Sequence, residues 1–401
     1  MNTHTLGIIL NGATGRIGSN QHLANSLVPI REEGGLAVNG VQIIPDLLLV
    51  GRDQDKLAGV ARATNLEDWT TDLDAALSDS RYSIYFDAAA THLRAKFLHK
   101  ALAAGKHIYS EKPIAPGVEE GLAILAEADA RGLKHSVVED KLHLPGMLKL
   151  GRLMEDGFFG RVTGFKLEFG WWIFDGVERA SQRPSWNYRD NTGGGLISDM
   201  YPHWRYMIEG LLGPIQCVVT VASTIQKTRV DETGAPFDVD VEDNAHTLLR
   251  LESGVIGSIF SSWGTRLRGE DQLTLKIDGT EGSAVAGLWD CWTQSAKETP
   301  VLGTFDLGRN KRGFSTRDFR GDWELVPAEG TYKNPYRYGW ESFICHVAGD
   351  VPAVSPLGAG IRDVQLSAAC LQSASEGRWV EMAPIPNSPA KNSFVSNYRR
   401  E

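Results

Sequence analysis

Over the first 140 residues the chain alternates short apolar runs with amphipathic stretches. "LGIIL" (Leu6–Leu10), "LLLV" (Leu47–Val50), "YSIYFDAAA" (Tyr82–Ala90), "HIYS" (His107–Ser110) and "KHSVVED" (Lys134–Asp140) read as strands, the first buried on both faces as in a parallel sheet. Helical spacing fills the gaps: Arg16 to Val28, the second half of Ala63–Asp79, Thr91–Gly105 (Leu93, Phe97, Leu98 and Leu102 on one face) and Gly117–Gly132. Gly105 and Gly132 are expected to stop the last two. The polar, glycine-containing segment Arg31–Asp46 reads as a loop. Strands alternating with helices predict an α/β fold with a doubly wound parallel sheet over residues 1–140.

From about Pro145 the pattern changes. Arg161–Phe174, Cys217–Gln226, Ala245–Thr265 and Gln272–Gly287 alternate apolar and polar residues around hairpin-like turns. Residues 141–401 therefore read as a second α/β domain on a large, open, mainly antiparallel sheet. Tyr338–Met382 reads as helices and then a last strand, and the tail from Ile385 as irregular.

Composition narrows the class. The 401 residues are 42% hydrophobic and 23% charged, an ordinary globular balance. A formal charge of −9 and a pI near 5.6 argue against a nucleic-acid or basic membrane-surface partner. The four cysteines are scattered without CxxC spacing and fit a reducing compartment. No leader-like or membrane-spanning run is seen, so a cytoplasmic location is expected. No metal site is expected.

The turn "NGATGRIG" carries Gly12, Gly15 and Gly18 between a strand and a helix. A tight turn, close backbone approach and an exposed helix N-terminus suit a pyrophosphate, so the turn points to dinucleotide binding; the alternative is a packing turn. The spacing is GxxGxxG. At the tip of the second strand, where an acid would hold a ribose 2′-OH, stand Gly51 and Arg52, with Asp53 one step later. Arg52 suits a 2′-phosphate or adenine stacking, and Asp53 leaves NAD open, so the cofactor reads as NAD or NADP.

"YSEKPIA" places Lys112 just beyond a strand, at the ligand-binding edge of the sheet, with Pro113 restricting it. Beside a cationic nicotinamide its pKa should fall, which suits acid–base work; the alternative is a surface lysine. "NTGGGLISDMYPHWRY" holds Gly193, Gly194 and Gly195, then Asp199 and His203 at i, i+4 on one helical face. The glycines would let backbone pass close to a ligand, and a carboxylate-oriented imidazole suits proton transfer.

Aromatic and basic residues crowd the same region: Trp171, Trp172, Arg183, Trp186, Tyr188 and Arg189. Flat rings pack on the apolar faces of sugars, and Arg or Lys suits an anionic group. About half of these tryptophans are expected in the core.

Taken together, the Gly12/Gly15/Gly18 turn, "AGKHIYSEKPIA", "GGGLISDMYPH" and the closing "SASEGRWVEM" resemble the glucose–fructose oxidoreductase/inositol dehydrogenase/MocA (Gfo/Idh/MocA) family over residues 7 to about 382. The resemblance implies a Rossmann domain followed by an open-sheet domain. It also implies hydride transfer between NAD(P) and a secondary hydroxyl of a sugar, glycoside or cyclitol, and a homodimer or homotetramer formed through the open sheet. Lys112, Asp199 and His203 match the family's catalytic residues. Gly12, Thr14, Gly15, Arg16, Ile17, Arg52, Glu111 and Lys112 are assigned to the cofactor. Lys112, Lys141, Trp172, Arg183, Trp186, Tyr188 and His203 are assigned to a carbohydrate substrate.

The chain also departs from the pattern. "AAATH" (Ala88–His92) replaces a Thr-Pro-Asn-like run, "EDKLHLP" lacks the usual arginine and offers Lys141, and Tyr206 stands where an aspartate often follows the histidine. Two other readings compete with a dehydrogenase. One is a redox-neutral glycosidase that oxidises its sugar transiently, possible on an anionic glycoside. The other is a non-catalytic NADP-binding sensor.

Overall fold

A computed structural model describes residues 2–269, 271–299 and 320–386. In the first sheet Leu36–Val38, Val41–Val50, Asn2–Asn11, Tyr82–Asp87, His107–Ser110 and His135–Val137 lie side by side in that order, and Trp69–Thr70 pairs with Val41–Val50. Every pair is parallel except the Leu36–Val38 edge. Apolar runs buried on both faces form Leu6–Leu10, Leu47–Val50 and most of Tyr82–Asp87, as the pattern requires. The register aligns Asn11 with Asp87 and Asp87 with Ser110. The residues that follow, Gly12, Ala88 and Glu111, therefore emerge together at one edge.

The helices Thr91–Ala103 and Val118–Ala130 end where expected, with Gly105 and Gly132 at φ of +72° and +64°. The expectation of a loop over Arg31–Asp46 is corrected. Leu36–Val38 folds back on Val41–Ile43 around Asn39 and Gly40, at φ of +49° and +79°. Two consecutive positive φ values are what a two-residue hairpin turn demands, and Asn-Gly meets them. The outer half of Val41–Val50 is only half-buried, so its apolar signal is weak.

The second sheet runs Glu324–Leu325, Cys291–Ser295, Gly282–Ala286, Leu273–Gly279, Val162–Gly170, Ile256–Ser262, Asn244–Leu251, Ile215–Ser223, Val380–Glu381. It is antiparallel except where Val162–Gly170 meets Ile256–Ser262. Helix Leu196–Leu212 covers one face and contributes Leu196, Met200, Tyr201 and Trp204 to its core. Most of the tail, residues 387–401, lies outside the described residues.

Two late helices return to the first sheet, and the second of them also joins it to the second sheet. Helix Pro335–Gly349 sends Trp340, Phe343 and Ile344 into the first sheet's core beside Phe86 and Tyr109. Helix Leu357–Glu376 gives Leu357, Ala359 and Ile361 to the first sheet and Leu366, Ala369 and Cys370 to the second.

Trp340 is fully buried, with ring centroids 5.0 Å from Phe86 and 4.9 Å from Tyr109. Trp340→Ala is expected to lower unfolding stability by ~3–5 kcal/mol, the cost of emptying a large aromatic site. Trp340→Phe should cost much less, and denaturant midpoints of the two variants check the order.

Candidate active site

The glycine turn forms where Asn2–Asn11 stops. Gly12 has φ of +86°, and a Cβ there would sit 2.5 Å from the Ala88 backbone, so only glycine fits between the two strand ends. Gly18 packs the following helix onto the turn, its would-be Cβ 2.4 Å from the Gly12 carbonyl oxygen. Gly15 and Arg16 are exposed, Thr14 and Ile17 half-buried, and the helix from Ile17 has no side-chain cap. Its first N–H groups are thus open to an anion, which fits a dinucleotide pyrophosphate.

At the second strand's tip, Asp53 is committed locally. Its carboxylate accepts from the Lys56 N–H at 3.0 Å and caps helix Gln54–Ala63. Arg52 is exposed, and among the described residues its guanidinium makes no hydrogen bond or ion pair.

Glu111 follows the strand His107–Ser110, and its N–H donates to Asp87 O at 2.9 Å. Beneath the glycine turn, buried His22 receives the Trp340 indole N–H on Nδ1 at 3.0 Å. A neutral His22 must then carry its proton on Nε2, which donates to Glu111 Oε1 at 2.8 Å. Buried Asp87 anchors the neighbouring loops. It accepts from Arg94 Nε at 3.0 Å, and Arg94 also donates to the carbonyls of Pro113 and Ala89. That network holds the "AAATH" and "EKP" loops at fixed separation.

Lys112 crosses to the second domain. Its ammonium donates to Asp199 Oδ1 at 3.0 Å and to the Asp199 carbonyl at 2.7 Å. Asp199 sits in the first turns of helix Leu196–Leu212, where Pro202 interrupts the backbone ladder. Its other oxygen pairs with Arg183 at 2.8 Å and accepts from Asn187 at 3.4 Å. Burial alone would raise this carboxyl, but Arg183 and Lys112 hold it at about 2.

The expected Asp199–His203 partnership is corrected. Asp199 is spent on Lys112 and Arg183, and His203 takes another partner. His203 Nδ1 lies 2.6 Å from Tyr206 Oη, and Tyr206 donates to Asp140 Oδ1 at 2.9 Å. Burial, then Lys112, Lys141 and Arg183, push the imidazole well below the ordinary histidine range, so it is neutral at neutral pH. Lys141 is half-buried and donates to Asp140 Oδ2 at 2.5 Å.

Two of the three glycines are corrected too, while a Cβ at Gly193 would meet open space. Gly194 would place a Cβ 2.4 Å from the Asn187 carbonyl oxygen, and Gly195 one 2.7 Å from the Glu242 carboxylate. They let the chain pack on itself rather than on a ligand. Tyr188 is a third correction. It is 1% exposed, donates to Phe174 O at 2.7 Å and lies under the buried Arg229, so it braces the loop from behind. Arg183 stacks over Phe174 and reaches Asp199. Trp172 is half-buried, and Trp186 is 46% exposed on the loop.

His22, Asp87, Arg94, Asp140 and Trp340 were not singled out from the sequence as site residues. His22, Arg94 and Trp340 stand within helices, Asp87 ends a strand and Asp140 lies just after one, and most of their partners lie far away in the sequence. Among the described residues no group of three His, Cys, Asp or Glu is placed to hold a metal, and no helix is long and apolar enough to cross a membrane.

Known proteins place this geometry. Residues 12–139 match the oxidoreductase family with an NAD-binding Rossmann fold, and 147–285 match the GFO/IDH/MocA C-terminal domain. The chain is 39% identical to D-xylose dehydrogenase of Paenarthrobacter nicotinovorans, covering 96% of this chain and 99% of that one. It is 28% identical to levoglucosan dehydrogenase of Pseudarthrobacter phenanthrenivorans, covering 82% and 87%. A levoglucosan dehydrogenase solved with NADH and levoglucosan shares the fold at a TM-score of 0.75 and 22% identity, covering 96% and 100%. The turn, the lysine and the histidine thus sit in an NAD-binding oxidoreductase, and the chain belongs to the Gfo/Idh/MocA family.

Proposed function

We propose that this oxidoreductase is a dehydrogenase that oxidises a hydroxyl-bearing carbon of a neutral sugar. The observation that carries the reading is the meeting of Lys112 with Asp199 beside a neutral His203. D-xylose is the first substrate to test, because the 39% identical relative bears that name.

Charge matching supports a neutral substrate over an anionic glycoside. Lys112 and Arg183 are paired with Asp199, and Lys141 is paired with Asp140. None of these three is left to meet a carboxylate or sulfonate. Trp172 and Trp186 offer flat faces to a sugar ring instead.

Gly12, Thr14, Gly15, Arg16, Ile17, Arg52 and Glu111 hold the dinucleotide in this reading, with residues 1–140 as its domain and 141–401 as the substrate domain. Arg52 favours NADP, since Asp53 is already a helix cap. A nicotinamide bound there would supply the hydride acceptor. His203 Nε2 takes the hydroxyl proton. Lys112, fixed by two bonds to Asp199, donates its remaining N–H to the same oxygen and steadies the developing negative charge.

The second sheet's open face carries Val221, Leu248 and Ile256, which are 72%, 51% and 55% exposed. Register places them on one side, so a homodimer or homotetramer through this face is part of the proposal. Three buried free thiols, Cys217, Cys291 and Cys370, fit a cytoplasmic setting.

Turnover of D-xylose and, in parallel, of methyl β-D-xyloside in heavy water tests the reaction class. A dehydrogenase forms one reduced nicotinamide per product and leaves the neighbouring C–H unexchanged. Glycoside cleavage with deuterium incorporation and no net reduction would replace this reading with the redox-neutral glycosidase. Binding of NADP with no turnover on a broad sugar panel would leave a sensor.

Lys112→Met should cut turnover by ~10²-fold or more, in the range of acid–base groups, with nucleotide affinity little changed. Near-wild-type turnover would remove Lys112 from the chemistry. Arg52→Ala should weaken NADP binding by about 10-fold or more, the worth of a charge-assisted bond, and leave NAD binding nearly constant. Nucleotide titration by fluorescence reads both; equal losses for the two cofactors would exclude a 2′-phosphate contact.

A further inference from the structure

The geometry points to a two-residue relay, Asp140 and Tyr206, that holds His203 in one tautomer, with the proton on Nδ1 and the Nε2 lone pair facing the cleft. This deepens the dehydrogenase reading and rests on it for the role of Nε2. Tyr206 and Asp140 are positioning residues.

The argument is an accounting of one proton. Tyr206 Oη has three neighbours: Asp140 Oδ1 at 2.9 Å, the Lys141 N–H at 3.2 Å and His203 Nδ1 at 2.6 Å. The Lys141 N–H can only donate. Asp140, beside Lys141 Nζ at 2.5 Å, is a carboxylate and can only accept. Burial pushes its carboxyl up, but Lys141 and the Tyr206 hydroxyl outweigh that and lower it. If Tyr206 turned its single proton toward His203, the phenol oxygen would face a carboxylate oxygen at 2.9 Å with nothing between them. The proton therefore lies toward Asp140, and the lone pair left on Oη accepts from Nδ1–H.

Groups from every neighbouring element keep His203 singly protonated. Lys112 from the "EKP" loop, Lys141 from the 140–143 turn and Arg183 from the aromatic loop all oppose an imidazolium. Asp199, on the same helix, is engaged by Lys112 and Arg183. Asp140, 3.8 Å from Nδ1, is the carboxylate behind the ring among the described residues, and the Tyr336 hydroxyl of helix Pro335–Gly349 also leans on it. Nε2 has no hydrogen-bond partner among the described residues and is not sealed from solvent.

The step then balances. The substrate O–H bond breaks and an Nε2–H bond forms. A nicotinamide held at the glycine turn would accept the carbinol C–H pair as hydride while the carbon–oxygen double bond closes. The imidazolium so formed has its Nδ1–H on Tyr206 and, through it, on Asp140. A wrong tautomer would present N–H where a base is needed.

The test is long-range proton–nitrogen NMR of the full chain labelled with ¹⁵N-histidine, with His203 assigned by the signal lost in His203→Gln. Wild type is expected to show a neutral ring protonated on Nδ1 between about pH 6 and 8, where a free imidazole would titrate. Tyr206→Phe and Asp140→Asn should lose that tautomer preference. Their kcat should fall by ~10–100-fold, the usual cost of losing an orienting partner, with NADP affinity within about 2-fold. An imidazolium, or an Nε2–H ring, in wild type overturns the relay, as does a Tyr206→Phe variant with tautomer and kcat unchanged. If a variant does not fold, the wild-type spectrum decides. A wild type with the Nδ1–H ring but no activity on any sugar upholds the relay and sinks the dehydrogenase reading.

Discussion

The site depends on one buried ion pair. Lys112 leaves the end of a strand in the first sheet, Asp199 leaves the first turns of a helix on the second, and their side chains are only 13% and 14% exposed. Charges so poorly hydrated need each other, and removing one partner of such a pair typically costs ~3–5 kcal/mol. Asp199 also takes Arg183 and Asn187, so one carboxylate draws the "EKP" loop, the helix and the aromatic loop to a point. The low pKa of Asp199 is the electrostatic trace of that convergence.

Much of this was legible in the sequence where the signal is local. Parallel strands advertise themselves as apolar runs, so the alternation before residue 140 translated directly into the first sheet. The glycine turn and the "EKP" lysine were legible because each needs a specific residue at a specific strand end. The hairpin at Asn39-Gly40 was lost because the apolar pattern of its long strand is diluted at a half-buried edge, although the Asn-Gly pair was there to be read.

Partners distant in sequence were not legible. Asp199 and His203 share a helical face, and i, i+4 spacing suggested that they pair. The decision lay with residues 87 and 16 positions from Asp199: Lys112 and Arg183 outbid a neutral imidazole for a carboxylate, because ion pairing in a desolvated site outweighs proximity. Tyr188 misled for a similar reason. An aromatic in a polar loop looks like a ligand face, yet its hydroxyl closes on Phe174 O and its ring covers Arg229, which is itself held by Asp243.

The carboxylate behind His203 comes from a second crossing between elements, built as two adjacent rungs. Glu139 and Asp140 are neighbours in the turn after the last strand of the first sheet, and Arg205 and Tyr206 are neighbours on the helix. Glu139 pairs with Arg205, and Asp140 accepts from Tyr206. The first rung is structural and belongs to a buried network in which Arg205 also binds Asp363 and Arg362 binds Glu209. The Arg205 and Asp363 side chains are 2% and 0% exposed, and burial pushes the Asp363 carboxyl up against the pull of Arg205. Ion pairs in such a medium are stiff, since any displacement exposes an uncompensated charge. The structural rung thus fixes the distance between turn and helix one residue away from the reacting histidine. At that distance a phenol, longer than a carboxylate alone, spans the gap from Asp140 to His203.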